Sequence, residues 1–269
     1  MNVADAAIAA DASILVNGTK LELIDRGRGR PILFLHPHIG IEPSAPVLAL
    51  LAEGGRLLAP SHPGFGRSEL PATFTSVDDL AYFYLDAMEE LDLEQALVVG
   101  VSFGAWIAAA IAVKSTARMS RLVLANPVGI KVGGRENRDI LDVFAMTEAE
   151  FLENAFADPG LAQRDYTGLT EEELRIVARN RESAARFAWS PYMHDPKLKG
   201  RLHRIRIPTL VLWGAADKLI DEGYGHAFCA AIPGAKFESI EGAGHFPHLE
   251  RPKPFAAHAL AFAALNSRF

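Results

Sequence analysis

The chain has 269 residues, 49% of them hydrophobic and 22% charged, near the averages for globular proteins, so it can bury a substantial core and is not a low-complexity sequence. A net charge of −6 with scattered Lys and Arg argues against nucleic-acid partners, which need a clustered basic surface, and Lys197 to Arg206 reads as a solvated helix face. The single cysteine, Cys229, allows no internal disulfide, and the longest apolar run, Ala105 to Val113, is far short of the roughly 20 residues that span a bilayer. Met1 to Asp5 carries no basic residue and Asp11 interrupts the Ala-rich run, so no secretory signal is expected. The expectation is a cytoplasmic protein with a small-molecule substrate and no membrane or nucleic-acid partner; a homodimer is left open.

Ser13–Val16 and Lys20–Ile24 alternate apolar and polar residues around Asn17-Gly18, the signal of a hairpin. Pro31–Leu35 and Arg56–Pro60 are continuous apolar runs, as in strands buried on both faces, with a helix between them over Pro43–Glu53. The spacing of Leu80, Phe83, Leu85, Met88 and Leu91 predicts a helix over Ser76–Leu93, capped by Thr75 or Ser76. Ala96–Val101 reads as a strand, Phe103–Val113 as the helix after it, and Arg121–Ala125 as a fourth buried strand.

From Gly129 to His203 no strand pattern is present, and helices are expected over Ile140–Ala157 and Thr170–Phe187, the second opened by a capping box at Thr170-Glu171-Glu172-Glu173. Strands return at Pro208–Trp213 and Lys236–Ile240, and a helix over Pro252–Leu265 follows. This alternation implies an α/β fold with a mostly parallel central sheet flanked by helices. Residues 1–128 and 204–269 would form the core and 129–203 a helical cap.

Gly100-Val101-Ser102-Phe103-Gly104 has the form Gly-x-Ser-x-Gly between a strand and a helix. A sharp strand-to-helix turn there would raise the Ser102 hydroxyl above the sheet edge, with small residues on either side to relieve crowding. The competing reading is an ordinary serine at a helix N-terminus. In this context the chain resembles the α/β-hydrolase superfamily over nearly its whole length, with the order Ser, Asp, His.

Gly242-Ala243-Gly244-His245-Phe246-Pro247 resembles the loop carrying that family's catalytic histidine, and an imidazole suits the role because it accepts and returns protons near neutral pH. His248 is the competitor and reads as a surface residue. Trp213-Gly214-Ala215-Ala216-Asp217 resembles the family's acid loop, making Asp217 the group that fixes the imidazole tautomer. Asp221 is the alternative, better suited to a helix cap. Some relatives carry the acid after an earlier strand, where this chain has Asn126-Pro127, which supplies no carboxylate.

Leu35-His36-Pro37-His38-Ile39-Gly40 sits where relatives have the oxyanion loop, which implies the backbone N–H groups of His38 and Phe103 as donors. Pro37 replaces the family's glycine and has no N–H of its own. The His36-x-His38 pair has no carboxylate or cysteine partner at ligand spacing, so no metal and no cofactor is expected. Ser61 to Ser68 resembles the superfamily's Pro-Gly-x-Gly-x-Ser turn and lacks the ending of a phosphate loop.

Phe144, Met146, Phe151, Phe187, Trp189, Tyr192 and Met193 are the candidate liners of an apolar pocket, with Phe144 and Trp189 the favoured contacts. Asn126-Pro127-Val128-Gly129 and Thr170-Glu171-Glu172 resemble segments of the meta-cleavage product hydrolases, which split C–C bonds in ring-fission dienoates. Phe246, the third expected contact, stands where those enzymes have tryptophan. Their cap arginine has Arg179, Arg181 and Arg186 as possible counterparts, and helical spacing puts Arg179 and Arg186 on one face and Arg181 elsewhere. The resemblance implies a serine hydrolase of an apolar or aromatic ester or an activated C–C ketone. A cofactor-free perhydrolase or haloperoxidase, or a weakly catalytic ligand-binding protein on the same fold, are the alternatives.

Overall fold

The computed structural model describes residues 12–134, 136–161 and 166–265, so the reading of the amino terminus lies outside the described residues. The first two strands, β1 (Ala12–Val16) and β2 (Thr19–Arg26), pair antiparallel with Val16 opposite Thr19. Asn17 and Gly18 close the hairpin with φ of 47° and 81°, the left-handed pair that a two-residue turn of this twist requires. The remaining strands are β3 (Pro31–Leu35), β4 (Arg56–Pro60), β5 (Ala96–Val101), β6 (Met119–Ala125), β7 (Thr209–Gly214) and β8 (Lys236–Ile240). They form one sheet in the order β1-β2-β4-β3-β5-β6-β7-β8, in which β2 alone runs against its neighbours.

After β3 the chain steps outward to β4 and then returns to the other side of β3 as β5. The carboxyl ends of β3 and β5 therefore lie side by side, with Leu35 paired to Gly100, where the crossovers diverge. That divergence opens a crevice, the usual ligand position in such sheets.

Helices cover both faces. α1 (Pro46–Ala52) packs with α8 (Pro252–Ala264), and α2 (Val77–Glu90) packs with α3 (Phe103–Lys114). α3 is buried at every position from Phe103 to Val113, which is why its sequence is apolar on all sides. Each large apolar side chain removed from water here, such as Leu33, Phe34 or Ile107, contributes about 1.5–3 kcal/mol before conformational entropy is counted. Ser76 caps α2 in a capping box with Asp79, the hydroxyl accepting from the Asp79 N–H and the carboxylate from the Ser76 N–H.

Segment 129–203 contributes α4 (Glu148–Ala155) and α5 (Glu171–Ala188). The expected helix over Ile140–Ala157 shrinks to α4. The Asp142 carboxylate accepts from the N–H groups of Phe144 and Ala145, which holds that stretch in a turn, and Thr147 with Glu150 then forms a capping box that starts the helix late. α5 begins at the capping box of Thr170 and Glu173, as the sequence indicates. Between β7 and α8 lie α6 (Glu222–Ala230) and the short α7 (Pro247–Glu250). Among the described residues no helix is long and apolar enough to cross a membrane.

Candidate active site

Ser102 lies between β5 and α3 with φ 52° and ψ −113°, and its side chain makes no capping bond to the helix. An ordinary helix-capping serine has extended backbone and its side-chain oxygen accepts from a backbone N–H of the first turn, so that reading fails. Such a backbone costs about 1–3 kcal/mol and persists only where the surroundings impose it. They do so here: the Ser102 N–H donates to Ala125 O at 2.8 Å, while its own carbonyl accepts from Ala105 and Trp106. A Cβ on Gly104 would stand 2.1 Å from Leu35 O, so only glycine lets the elbow approach the end of β3 this closely.

The loop after β8 brings the His245 Nε2 to 2.8 Å from Ser102 Oγ, and the loop after β7 brings the Asp217 Oδ2 to 2.8 Å from His245 Nδ1. Ser102 and His245 are fully buried. Asp217 accepts from four donors: Oδ2 from His245 and from the Asn126 amide at 2.8 Å, Oδ1 from the Leu219 N–H at 2.9 Å and the Ile220 N–H at 3.2 Å. Both lone-pair directions of each oxygen are thereby used. Asp221, the alternative acid, caps α6 by accepting from the Gly223 N–H at 2.8 Å.

Asn126 was not identified as a site residue from the sequence. Its amide N–H holds Asp217 while its carbonyl oxygen accepts from the Gly214 N–H at 3.0 Å, so it ties the end of β6 to the acid loop. The signal available was positional, since Asn126 ends the strand after which some relatives carry their acid.

His248 is buried rather than superficial, set among Phe34, Phe246 and Phe255, and burial lowers its pKa to about 3. It lies in α7 just after the loop that carries His245, and its Nδ1 has no hydrogen-bond partner among the described residues.

The loop after β3 passes beside the elbow. Pro37 supplies no N–H, but its carbonyl accepts from the Gly40 N–H at 3.0 Å, which closes a tight turn around His38. Among the described residues neither the His38 nor the Phe103 backbone N–H donates a hydrogen bond. The His38 ring is nine-tenths buried, and burial, reinforced by the proximity of His245, lowers its pKa to about 3, so it stays neutral. Both nitrogens of His36 are engaged, with Pro37 O and the His62 N–H. Among the described residues no group of three or more His, Cys, Asp or Glu could hold a metal ion.

Residues 32–258 match the alpha/beta hydrolase family. The chain belongs to that family. A 2-hydroxymuconate semialdehyde hydrolase of a Pseudomonas species is 28% identical, with 95% of this hydrolase and 92% of the relative aligned. A dihydrolipoyllysine-residue acetyltransferase component of an acetoin cleaving system from Cupriavidus necator is also 28% identical, and the chain spans 66% of its length. A putative non-heme haloperoxidase of Mycobacterium phage D29 is 28% identical over 94% of both chains. In fold, the hydrolase superposes on a meta-cleavage product hydrolase with a TM-score of 0.74 at 22% identity, covering 94% of this chain and 97% of the other.

The hydrolase carries a cavity of about 600 Å³ between the β3 loop, α4 and α5. Its wall includes Ile39, Phe144, Met146, Phe151, Phe156 and Val177, with His38 where it approaches His245. Of the three expected substrate contacts, the structure places Phe144 on this wall. It does not place Trp189 there: that ring is 61% exposed and leans on the outer side of Phe144, 5.6 Å away. Phe246 is fully buried behind the wall, packed on Phe156 and against His245, so it supports the site rather than lining the cavity. Ser102 is not on the wall either and is fully buried.

The arginines are arranged otherwise than expected. Arg179 and Arg186 do share a face of α5, but that face is docked on the core. Arg179 donates to the carbonyls of Gly64 and Ser68, and Arg186 to those of Phe74 and Ala72. Arg181 is the arginine of this helix that lines the cavity.

Proposed function

We propose that this protein is a serine hydrolase that uses Ser102, His245 and Asp217 to cleave esters with a bulky apolar or aromatic acyl part. The observation that carries this reading is the unbroken chain of hydrogen bonds from Asp217 through His245 to Ser102 Oγ, each 2.8 Å long. His245 Nε2 takes the Ser102 proton as Oγ bonds to the substrate carbonyl carbon, and the carbonyl electron pair becomes an oxyanion. The N–H groups of His38 and Phe103, which lack protein acceptors, receive that charge, and each such donor is worth about 3 kcal/mol. Collapse of the intermediate expels the alcohol, which takes its proton from His245. A water then cleaves the acyl-enzyme by the same steps, with Asp217 holding the imidazole in its working tautomer throughout.

The apolar wall supports a bulky acyl group. Cleavage of a C–C bond in a dienoate calls for cationic groups at the substrate carboxylate. Arg179 and Arg186 are committed to backbone carbonyls, so two of the three expected counterparts do not serve that role, and Arg181 on the cavity wall is the one of them that remains for it.

A panel of aryl esters assayed beside ring-fission dienoates tests this. The expected result is ester hydrolysis whose kcat/KM rises with acyl size, and background turnover of dienoates. A dienoate cleaved more efficiently than every ester would overturn the ester assignment. The haloperoxidase reading, supported by the phage relative, would gain from turnover that depends on peroxide.

A further inference from the structure

Beneath the β3 loop lie three buried side chains that the triad mechanism does not use: His36, His62 and Tyr84. Their hydrogen bonds allow one assignment of protons. The His62 backbone N–H can only donate, so His36 Nε2, 2.9 Å away, is an acceptor and the His36 proton sits on Nδ1. That Nδ1–H donates to Pro37 O at 2.7 Å. The His36 carbonyl can only accept, so His62 Nε2–H donates to it at 2.9 Å. The His62 Nδ1 then accepts from the Tyr84 O–H at 2.6 Å. The two imidazoles also stack, with centroids 3.7 Å apart, and the His62 ring meets the Phe103 ring edge-on at 5.9 Å.

The last bond of this chain ends on a functional peptide. Pro37 O and the His38 N–H belong to the same peptide plane, so whatever holds the carbonyl aims the N–H. The carbonyl is held from two sides, by the Gly40 N–H and by His36 Nδ1–H. We infer that His36, with His62 and Tyr84 behind it, is a positioning relay that sets the Pro37–His38 peptide plane and so aims the His38 N–H at the oxyanion. This rests on the serine-hydrolase reading and on His38 as a donor.

The arrangement also accounts for Pro37 in a loop where a flexible residue is expected. Proline fixes φ but leaves the following peptide to be oriented, and the relay supplies that orientation. Burial keeps the relay in one protonation state: the pKa of His36 is lowered to about 4, that of His62 is held well below the usual imidazole range, and that of Tyr84 is raised. A proton added at His36 Nε2 would face the His62 N–H and break the chain.

Inhibition by 2,2,2-trifluoroacetophenone separates this role from a purely structural one. Ser102 Oγ adds to the ketone carbon, its proton passes to His245, and the carbonyl electron pair becomes an oxyanion that reads the donor geometry. In Tyr84→Phe, which keeps the ring, kcat for an aryl ester should fall about tenfold with KM within about twofold, and the ketone Ki should rise by the same factor as kcat falls. His36→Phe should lose about a hundredfold in kcat, and His36→Asn, whose amide N–H can stand in for Nδ1–H, should recover much of it. Folded Tyr84→Phe and His36→Phe variants with unchanged kcat and ketone affinity, and with Ser102 still labelled by a fluorophosphonate, would overturn the relay alone. Failure of the wild type to be labelled at Ser102 would overturn the hydrolase reading and the relay together.

Discussion

Ser102 and Asn126 both hold left-handed backbone, with φ of 52° and 40°, and both lie at strand ends that face the same crevice. Strain at two such positions is maintained by their hydrogen bonds, Ser102 through its N–H to Ala125 and Asn126 through its amide to Asp217 and Gly214. Replacing Asn126 by Ala removes a bond to a charged group worth about 1.5 kcal/mol, so kcat should fall about tenfold with little change in KM, as steady-state kinetics would show. Asp217→Asn should be far more damaging than Asp221→Ala. The latter removes the α6 cap and should cost about 1 kcal/mol in denaturation without touching turnover. Equal activity losses at the two aspartates would mean that the acid has been misassigned. That Ser102, His245 and Asp217 come together was legible in the sequence because each occupies a short loop after a strand with small residues around it. Asn126 was not, because its role exists only once β6 and β7 lie side by side. His248 was misread as superficial because nothing in its local sequence reveals that α7 is wedged against Phe34 and Phe255.

At the level of elements, α5 is fastened to the turn after β4 and the residues beyond it. Arg179, Ser183 and Arg186 bond to carbonyls between Gly64 and Phe74, while Asn180 accepts from the Gly66 N–H and donates to Ile39 O. This explains the otherwise unassigned Pro63-Gly64-Phe65-Gly66 turn: it presents backbone groups to the helix that forms one side of the cavity. Arg179→Gln should therefore lower the denaturant midpoint and change turnover of ester and dienoate substrates by similar factors. A selective loss on carboxylate-bearing substrates would show instead that Arg179 faces the ligand. Helical spacing correctly grouped Arg179 with Arg186, yet it could not tell whether their face met the cavity or the core. The strands were legible almost to the residue because apolar runs bounded by Gly, Pro or Asn leave little choice. The start of α4 was not, because a side-chain turn at Asp142 competes with the helix.

For the whole molecule, the sheet order places His36, His38 and His62 around the crevice at the ends of β3 and β5, and α7 adds His248 behind it. These four buried imidazoles have pKa values of about 4 for His36, about 3 for His38 and His248, and well below normal for His62, all through burial. In the unfolded chain each titrates near ~6.5. Below that pH the unfolded state binds protons that the folded state refuses, so stability is fully present above pH ~6.5 and declines as pH falls toward ~4. Urea midpoints should be level between pH 7 and 8 and fall steadily from pH 6.5 to 5; a midpoint unchanged at pH 5 would contradict the neutral, buried state of these rings.

Every step of the proposed mechanism depends on Ser102 being the nucleophile. Treatment of the native protein with a fluorophosphonate, followed by peptide mass mapping, tests this most directly. One adduct is expected, on Ser102, with loss of activity in step with labelling. Ser102→Ala should lack both the adduct and at least roughly three orders of magnitude of kcat. An adduct on a different residue, or near-normal turnover by Ser102→Ala, would contradict it.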